Sequence, residues 1–224
     1  MLRNPRQEAA LEPDRTLKKD AFGSIELSNS SKQGLLLRNT EAAHWLARPL
    51  ACRLARREAR ALIALEGMDG IPAIVAWDGH SLTRQWLGGK TLREQPPLDS
   101  AYFRAALRLL RTMHRRGIAH NDLAKESNCL ILNDNQPGFI DFQLAWHSPR
   151  RSRLFRLMAR EDLRHLLKHK RYYCPESLSA RQREILAHKS LPSRAWMYFG
   201  KPVYHWVTRS ILGRADREGA GNQY

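Results

Sequence analysis

Strand-like alternation of apolar and polar residues dominates the chain up to Leu87, and helical periodicity dominates it after Ser100. Thr16 to Leu27 reads as a strand, a turn at Phe22-Gly23-Ser24 and a returning strand, followed by a polar turn from Ser28 to Gln33. Gly34-Leu35-Leu36-Leu37-Arg38 is a short buried strand ending in a cation. Glu41 to Leu65 carries helical spacing, with Leu46, Leu50, Leu54, Leu62 and Leu65 among basic residues, and Gly67 to Gly70 breaks it. Ile71 to Trp77 and Leu82 to Leu87 are two predicted strands joined at Asp78-Gly79.

Ser100 to Arg116 is strongly amphipathic, with Phe103, Leu107, Leu110 and Met113 on one stripe, and Gly117 stops it. Ile118 to Leu132 reads as loop and strand, and Phe139 to Phe142 as a further short strand. A helix is expected over Ala159 to Lys170, with Leu163, Leu166 and Leu167 on its buried side; beyond it the helical pattern is broken at Pro175, Pro192 and Pro202. The pattern predicts an α+β fold of two lobes. A β-rich N-lobe with one main helix covers 15–87, a linker opening at Gly88-Gly89 covers 88–99, and a compact helical C-lobe covers 100–210. Loose tails are expected at 1–14 and 211–224. A cleft between lobes suits a bound nucleotide.

A chain of 224 residues with 42% apolar content has ample material for such a core. Its longest clean apolar run, Ile71 to Trp77, is far too short to cross a bilayer, and the N-terminus lacks the apolar stretch of a secretory signal. Cys52, Cys129 and Cys174 are widely spaced and form no CxxC pair, so they read as free thiols of a reducing compartment. The expected location is cytoplasmic, soluble or peripheral on the inner membrane. The net charge of +16 is uneven: residues 147–224 hold 17 Lys and Arg against 6 Asp and Glu. Such a surface attracts phosphate-bearing partners.

The chemistry concentrates between residues 120 and 142. His120-Asn121-Asp122-Leu123, then Asn128, then Asp141-Phe142 set three oxygen-bearing side chains in order. Asp122, in a polar loop after a helix, is the right residue type to accept a hydroxyl proton. Asn128 offers an amide oxygen to a metal. Asp141 lies between Ile140 and Phe142 at the end of an apolar strand, where a charge must be paired or metal-bound. Oxygen ligands of this kind suit Mg²⁺, which takes its remaining ligands from water and the phosphates of ATP.

The block from Leu109 to Ala145 (helix, His-x-Asp-Leu, Asn, short hairpin, Asp-Phe-x) resembles the catalytic heart of the protein-kinase-like superfamily. The spelling His-Asn-Asp-Leu-Ala-Lys-Glu-Ser-Asn is similar to small bacterial members, including kinases of lipopolysaccharide core sugars (heptose and Kdo) and distant RIO-like proteins. The resemblance implies a two-lobed kinase-like fold and ATP with Mg²⁺ as cofactors. It implies Asp122 as catalytic base, Asn128 and Asp141 as metal ligands, and His120 as support for the loop. Lys125 would reach a transferred phosphate. Gly23 would lie in a reduced phosphate loop, Arg38 would stand where kinases carry Lys, and Glu58 would hold Arg38 from the helix. Gln85 and Leu87, in Thr83 to Gly89, would belong to the hinge that holds adenine.

The chain departs from that pattern in several places. Asp122 to Asn128 spans six positions where the common loop spans five. Only one glycine stands in Asp20-Ala21-Phe22-Gly23-Ser24, with Lys32 an off-register alternative cation, and Gln143 replaces a glycine. Too little chain remains after Ala145 for a full helical lobe, and Cys174-Pro175-Glu176 is only an echo of a peptide anchor. The expected acceptor is therefore a hydroxyl on a glycolipid. A Ser/Thr kinase of RIO-like type and a pseudokinase-type nucleotide- or membrane-binding module are the alternatives. Asp162 is expected to tie its helix to the catalytic loop. Trp196, Tyr198, Phe199, Tyr204 and Trp206, with Lys201 and Arg209, suit an anionic membrane interface. No recognised nucleic-acid motif is present.

Overall fold

The computed structural model describes residues 15–20, 23–28 and 34–187. The two tails, Lys32 and the aromatic run from Trp196 to Trp206 lie outside the described residues. Strands β1 (Arg15–Asp20), β2 (Gly23–Ser28), β3 (Leu35–Asn39), β4 (Ile74–Trp77) and β5 (Ser81–Gln85) form one antiparallel sheet in the order β1-β2-β3-β5-β4. In its register Arg38 stands opposite Leu82, and Leu36 opposite Arg84. Side chains alternate across a strand, so these four share one face. Helix α1 (Arg48–Ala64) packs on β4 and β5, and also on the turn at Phe142–Leu144 that follows Asp141.

Several boundaries differ from the sequence expectation. The helix expected from Glu41 begins only at Arg48, because Pro49 is tolerated in a first turn but would clash with the carbonyl four residues earlier inside a longer helix. The strand expected from Ile71 begins at Ile74, past Pro72, which has no N–H for a ladder. The strand expected from Phe139 to Phe142 instead ends at Phe139. Asp141 adopts φ +66°, ψ +67°, a left-handed conformation no strand continues.

After β6 (Lys90–Thr91), Asp99 caps α2 (Ser100–Arg115) by accepting the Ala101 N–H at 2.6 Å. The helix buries Tyr102, Phe103, Ala106, Leu107, Leu110 and Met113, and Gly117 ends it at φ +77°. β7 (Ile118–Ala119), β8 (Cys129–Ile131) and β9 (Pro137–Phe139) come next, and β10 (Trp146–His147) pairs back with β7. Helix α3 (Arg153–Tyr173) is longer than expected at both ends. Ser152 caps it by accepting the Phe155 N–H at 3.2 Å, and Phe155 buries a turn the leucine spacing alone did not mark.

The chain divides into two compact units, Met1–Ser179 and Ala180–Tyr224. In the second, the described residues include one helix, α4 (Ala180–Ala187). Among the described residues no helix is long and apolar enough to cross a membrane.

Burial in β8 pushes the Cys129 thiol up to about 12, and burial also raises Cys174. Cys52 is half-buried, with its sulfur 3.2 Å from the Thr40 hydroxyl. The thiolate is the reactive form, and a raised pKa keeps a thiol protonated. Maleimide labelling of the native protein near neutral pH, with peptide mass spectrometry as the readout, is expected to mark Cys52 first and Cys129 only after unfolding. Equally fast labelling of Cys129 would contradict this core.

Candidate active site

The site is built from the loop that leaves β7. Asp162, buried on α3, accepts the His120 N–H at 2.7 Å and the Asn121 N–H at 2.8 Å, with His114 Nε2 at 3.1 Å from the same carboxylate. This is the tie the sequence anticipated. Asn121 takes φ +64°, a left-handed turn that Asn tolerates better than most residues. Its side-chain amide donates to the Leu144 carbonyl at 3.0 Å. Buried His120 donates through Nε2 to the Ile140 carbonyl at 3.0 Å, and its ring lies 4.6 Å from that of Phe142. The segment carrying Asp141 is thus bonded at both ends to the two residues preceding Asp122.

Asp122, Lys125 and Asn128 meet. Lys125 Nζ lies 2.7 Å from Asp122 Oδ2, and the Asn128 amide donates to the same oxygen at 2.9 Å and to the Asp122 carbonyl at 3.0 Å. The six-residue spacing does not keep Asn128 away: a single turn over Glu126–Asn128 takes up the extra residue. The Ile140 N–H donates to the Asn128 carbonyl at 3.1 Å, joining this turn to the Asp141 segment. Asp122 Oδ1 accepts no hydrogen bond among the described residues. Lys125 therefore neutralises one carboxylate oxygen and leaves the other open.

The residues present fit a magnesium ion. Asp141 Oδ1 is buried and has no hydrogen-bond partner, a costly state for a carboxylate unless a cation completes it. Asn128 spends its amide N–H groups on Asp122, leaving its oxygen, among the described residues, with only the Ser127 hydroxyl at 3.5 Å. Among the described residues no three His, Cys, Asp or Glu side chains cluster as a metal cage. An ion here would take its other oxygens from phosphate and water, as Mg²⁺ does.

In the N-terminal part, Glu58 is buried on α1 with Arg38 Nε at 3.5 Å from Oε2 and Arg84 Nε at 3.1 Å from Oε1. Arg84 is the member that sequence reading missed. The signal was its register: it shares the inward parity of Leu82, which puts a cation on the covered face of β5. Two guanidiniums against one carboxylate leave an excess positive charge in a largely buried place. Gly23 opens β2 at φ +120°, and a Cβ there would collide with the Asn39 carbonyl, so close approach of β2 to β3 itself requires glycine. Gln85 spends its backbone N–H on the Ala73 carbonyl at 2.8 Å, whereas the Leu87 backbone groups, just past β5, take no partner among the described residues.

Beside the catalytic loop lies a cavity of about 460 Å³ lined by Arg93, Ala124, Lys125, Glu126, Ser127 and His169. Its floor is fixed from α3: His169 Nε2 donates to the Leu123 carbonyl at 2.8 Å, and the Tyr173 hydroxyl lies between two acceptors, the Leu92 carbonyl at 2.8 Å and Glu126 at 3.0 Å. Burial and the Glu126 contact push that hydroxyl up to about 12, so it remains a donor at neutral pH.

Together the sheet with the one helix packed on it, the loop and the helical part define a protein-kinase-like two-lobe fold. The Rio2 kinase from Chaetomium thermophilum is similar, with a TM-score of 0.58 and 16% identity. The match covers 78% of this chain and 61% of that one, so the chain spans about three fifths of the length of the kinase it matches. No protein family and no curated protein matches the sequence.

Removing one partner of a buried ion pair costs about 3–5 kcal/mol, so Glu58→Ala, which strands two guanidiniums, is expected to lower stability by about 3 kcal/mol or more. Arg84→Met leaves Arg38 with Glu58 and should cost clearly less. Urea unfolding of the two variants checks the order, and the reverse order would refute this arrangement.

Proposed function

We propose that the chain is an ATP- and Mg²⁺-dependent phosphotransferase whose acceptor is a hydroxyl on a sugar of lipopolysaccharide or a related glycolipid. The observation that carries this reading is the pairing at the catalytic loop: one Asp122 oxygen is clamped by Lys125 and Asn128 with the other open, and Asn128 bonds in turn to Ile140, the neighbour of Asp141 with its orphaned oxygen. Asp122 takes the acceptor proton on Oδ1 as the acceptor oxygen bonds to the γ-phosphorus and the bond to the leaving oxygen breaks. Lys125 and the Asn128 amide hold the carboxylate in place. Asn128 Oδ1 and Asp141 would hold Mg²⁺, which when bound neutralises charge on the phosphates. Glu58 orients Arg38 and Arg84, whose excess positive charge suits a phosphate. Arg can pair with phosphate through its planar fork, though it is no replica of a lysine ammonium. The Leu87 backbone groups, unpartnered among the described residues, would meet adenine.

Two observations favour a non-protein acceptor. Only eleven residues separate Asp141 from Arg153, and they are occupied by a turn, β10 and its connection, leaving no extended segment to seat a peptide. The cavity beside Asp122 is lined by Arg93, Lys125 and the Ser127 hydroxyl, donors that suit the oxygens of a sugar. The second reading, a Ser/Thr kinase, draws on the likeness of fold to Rio2 kinase. A nucleotide-binding module without transfer draws on Arg38 standing in the lysine position.

Incubation with γ-labelled ATP, Mg²⁺ and either glycolipid extract or total protein separates these readings, with label expected in the glycolipid. General acid–base groups contribute about 10²–10⁴-fold, so Asp122→Asn should cut transfer by that factor, and Asp141→Asn should abolish it at ordinary Mg²⁺. Label appearing only in protein favours the kinase of proteins, and nucleotide binding without transfer favours the silent module. Undiminished transfer by both variants would end the proposal.

A further inference from the structure

The outer face of α1 is basic: Arg48 at its start pairs with Glu41 at 3.6 Å, and four further arginines follow. Arg53, Arg56, Arg57 and Arg60 are all exposed, and none forms an ion pair among the described residues. The one acidic residue of the helix, Glu58, is buried on the opposite side with Arg38 and Arg84. Helical spacing sets Leu50, Arg53 and Arg57 in one row and Arg56, Arg60 and Ile63 in the next. At the N-terminal end of this face stand large apolar side chains in water: Trp45 is 73% exposed, Leu46 66% and Leu50 49%. Single exposed leucines are ordinary, but three large apolar chains within six positions, bordering four unpaired arginines, form a composite surface.

We propose that this face docks on an anionic lipid surface. The charge fits acidic headgroups, and the apolar end is what distinguishes lipid from the alternatives. Arginines alone suit a nucleic-acid backbone, whereas Trp45, Leu46 and Leu50 gain by entering the headgroup boundary, where indole rings lodge. Helix α2 provides an internal contrast. Its exposed Arg104, Arg108, Arg111 and Arg115 make a similar basic face, and only one large apolar side chain, Leu98, stands exposed at its N-terminal end where α1 has three. Each cation near an anionic surface strengthens binding about fivefold, so both faces attract, but the α1 face has the larger apolar edge to insert. Docking through α1 would bring the lobe that carries Glu58 to the membrane. The inference stands apart from the phosphotransfer reading, because binding is read without ATP.

The test is flotation of the full-length protein with vesicles of phosphatidylcholine alone or with phosphatidylglycerol added. The protein is expected to float with the phosphatidylglycerol vesicles only. A Trp45→Ser/Leu46→Ser/Leu50→Ser variant and an Arg53→Ala/Arg56→Ala/Arg57→Ala variant should each bind at least about tenfold more weakly. An Arg104→Ala/Arg108→Ala/Arg111→Ala variant, matched in charge, should lose clearly less. Circular dichroism and thermal melts confirm that the variants fold, as expected for exposed positions. Quenching of tryptophan fluorescence by brominated phosphatidylglycerol should fall in Trp45→Phe. Absence of binding to anionic vesicles overturns the proposal. So does equal loss in the α1 and α2 arginine variants, or a serine variant that binds vesicles normally. Binding of α1 to RNA in preference to vesicles, insensitive to the serine changes, would assign the face to nucleic acid instead.

Discussion

The catalytic loop depends on the Asp162 carboxylate. A charge buried on α3 would be strongly destabilising alone, yet it receives two backbone N–H groups and the His114 ring. Hydrogen bonds to a charged group contribute about 1.5–3 kcal/mol each, enough to hold His120 and Asn121 in a backbone path that includes a left-handed residue. The rest of the site hangs on that hold. His120 and Asn121 fasten Ile140 and Leu144, and between those two points lies Asp141. One buried acid thus sets the place of two acids that remain free for chemistry.

A second buried acid organises the N-terminal sheet. Glu58 gathers Arg38 from β3 and Arg84 from β5, two strands that are neighbours in the ladder. Because α1 also packs on the Phe142–Leu144 turn, the helix touches both the sheet that carries the arginines and the segment that carries Asp141. The two carboxylates differ in kind. Asp162 is satisfied mainly by backbone and fixes a shape, whereas Glu58 faces more positive charge than it can neutralise and so leaves room for an anion.

Much of this was legible in the chain. The amphipathic stripe of α2 and the strands on either side of Asp78-Gly79 come from period and turn residues, whereas Glu58 as the holder of Arg38 comes from the resemblance to kinases. The failures have physical causes. Arg84 was overlooked because a cation inside Leu82 to Gln85 looks like a surface residue until strand parity is matched to β3. Asp141 was placed at a strand end because Phe139, Ile140 and Phe142 are apolar, and nothing local announces a positive φ. The helix from Glu41 was overextended because leucine spacing continued past Pro49, where the ring forbids a preceding turn. The start of α3 was missed because its capping serine and Phe155 precede the leucine-rich part. The six-residue spacing of Asp122 and Asn128 looked like a defect, yet a single turn closes it.

Asn128 and Asp141 should hold one divalent ion beside Asp122. A crystal structure of the protein with Mg²⁺ and a non-hydrolysable ATP analogue tests this most directly. It should place the ion about 2.1 Å from both the Asn128 amide oxygen and an Asp141 carboxylate oxygen, with the phosphates completing its shell. An ion bound by other residues, or a nucleotide seated away from Asp122, would contradict it.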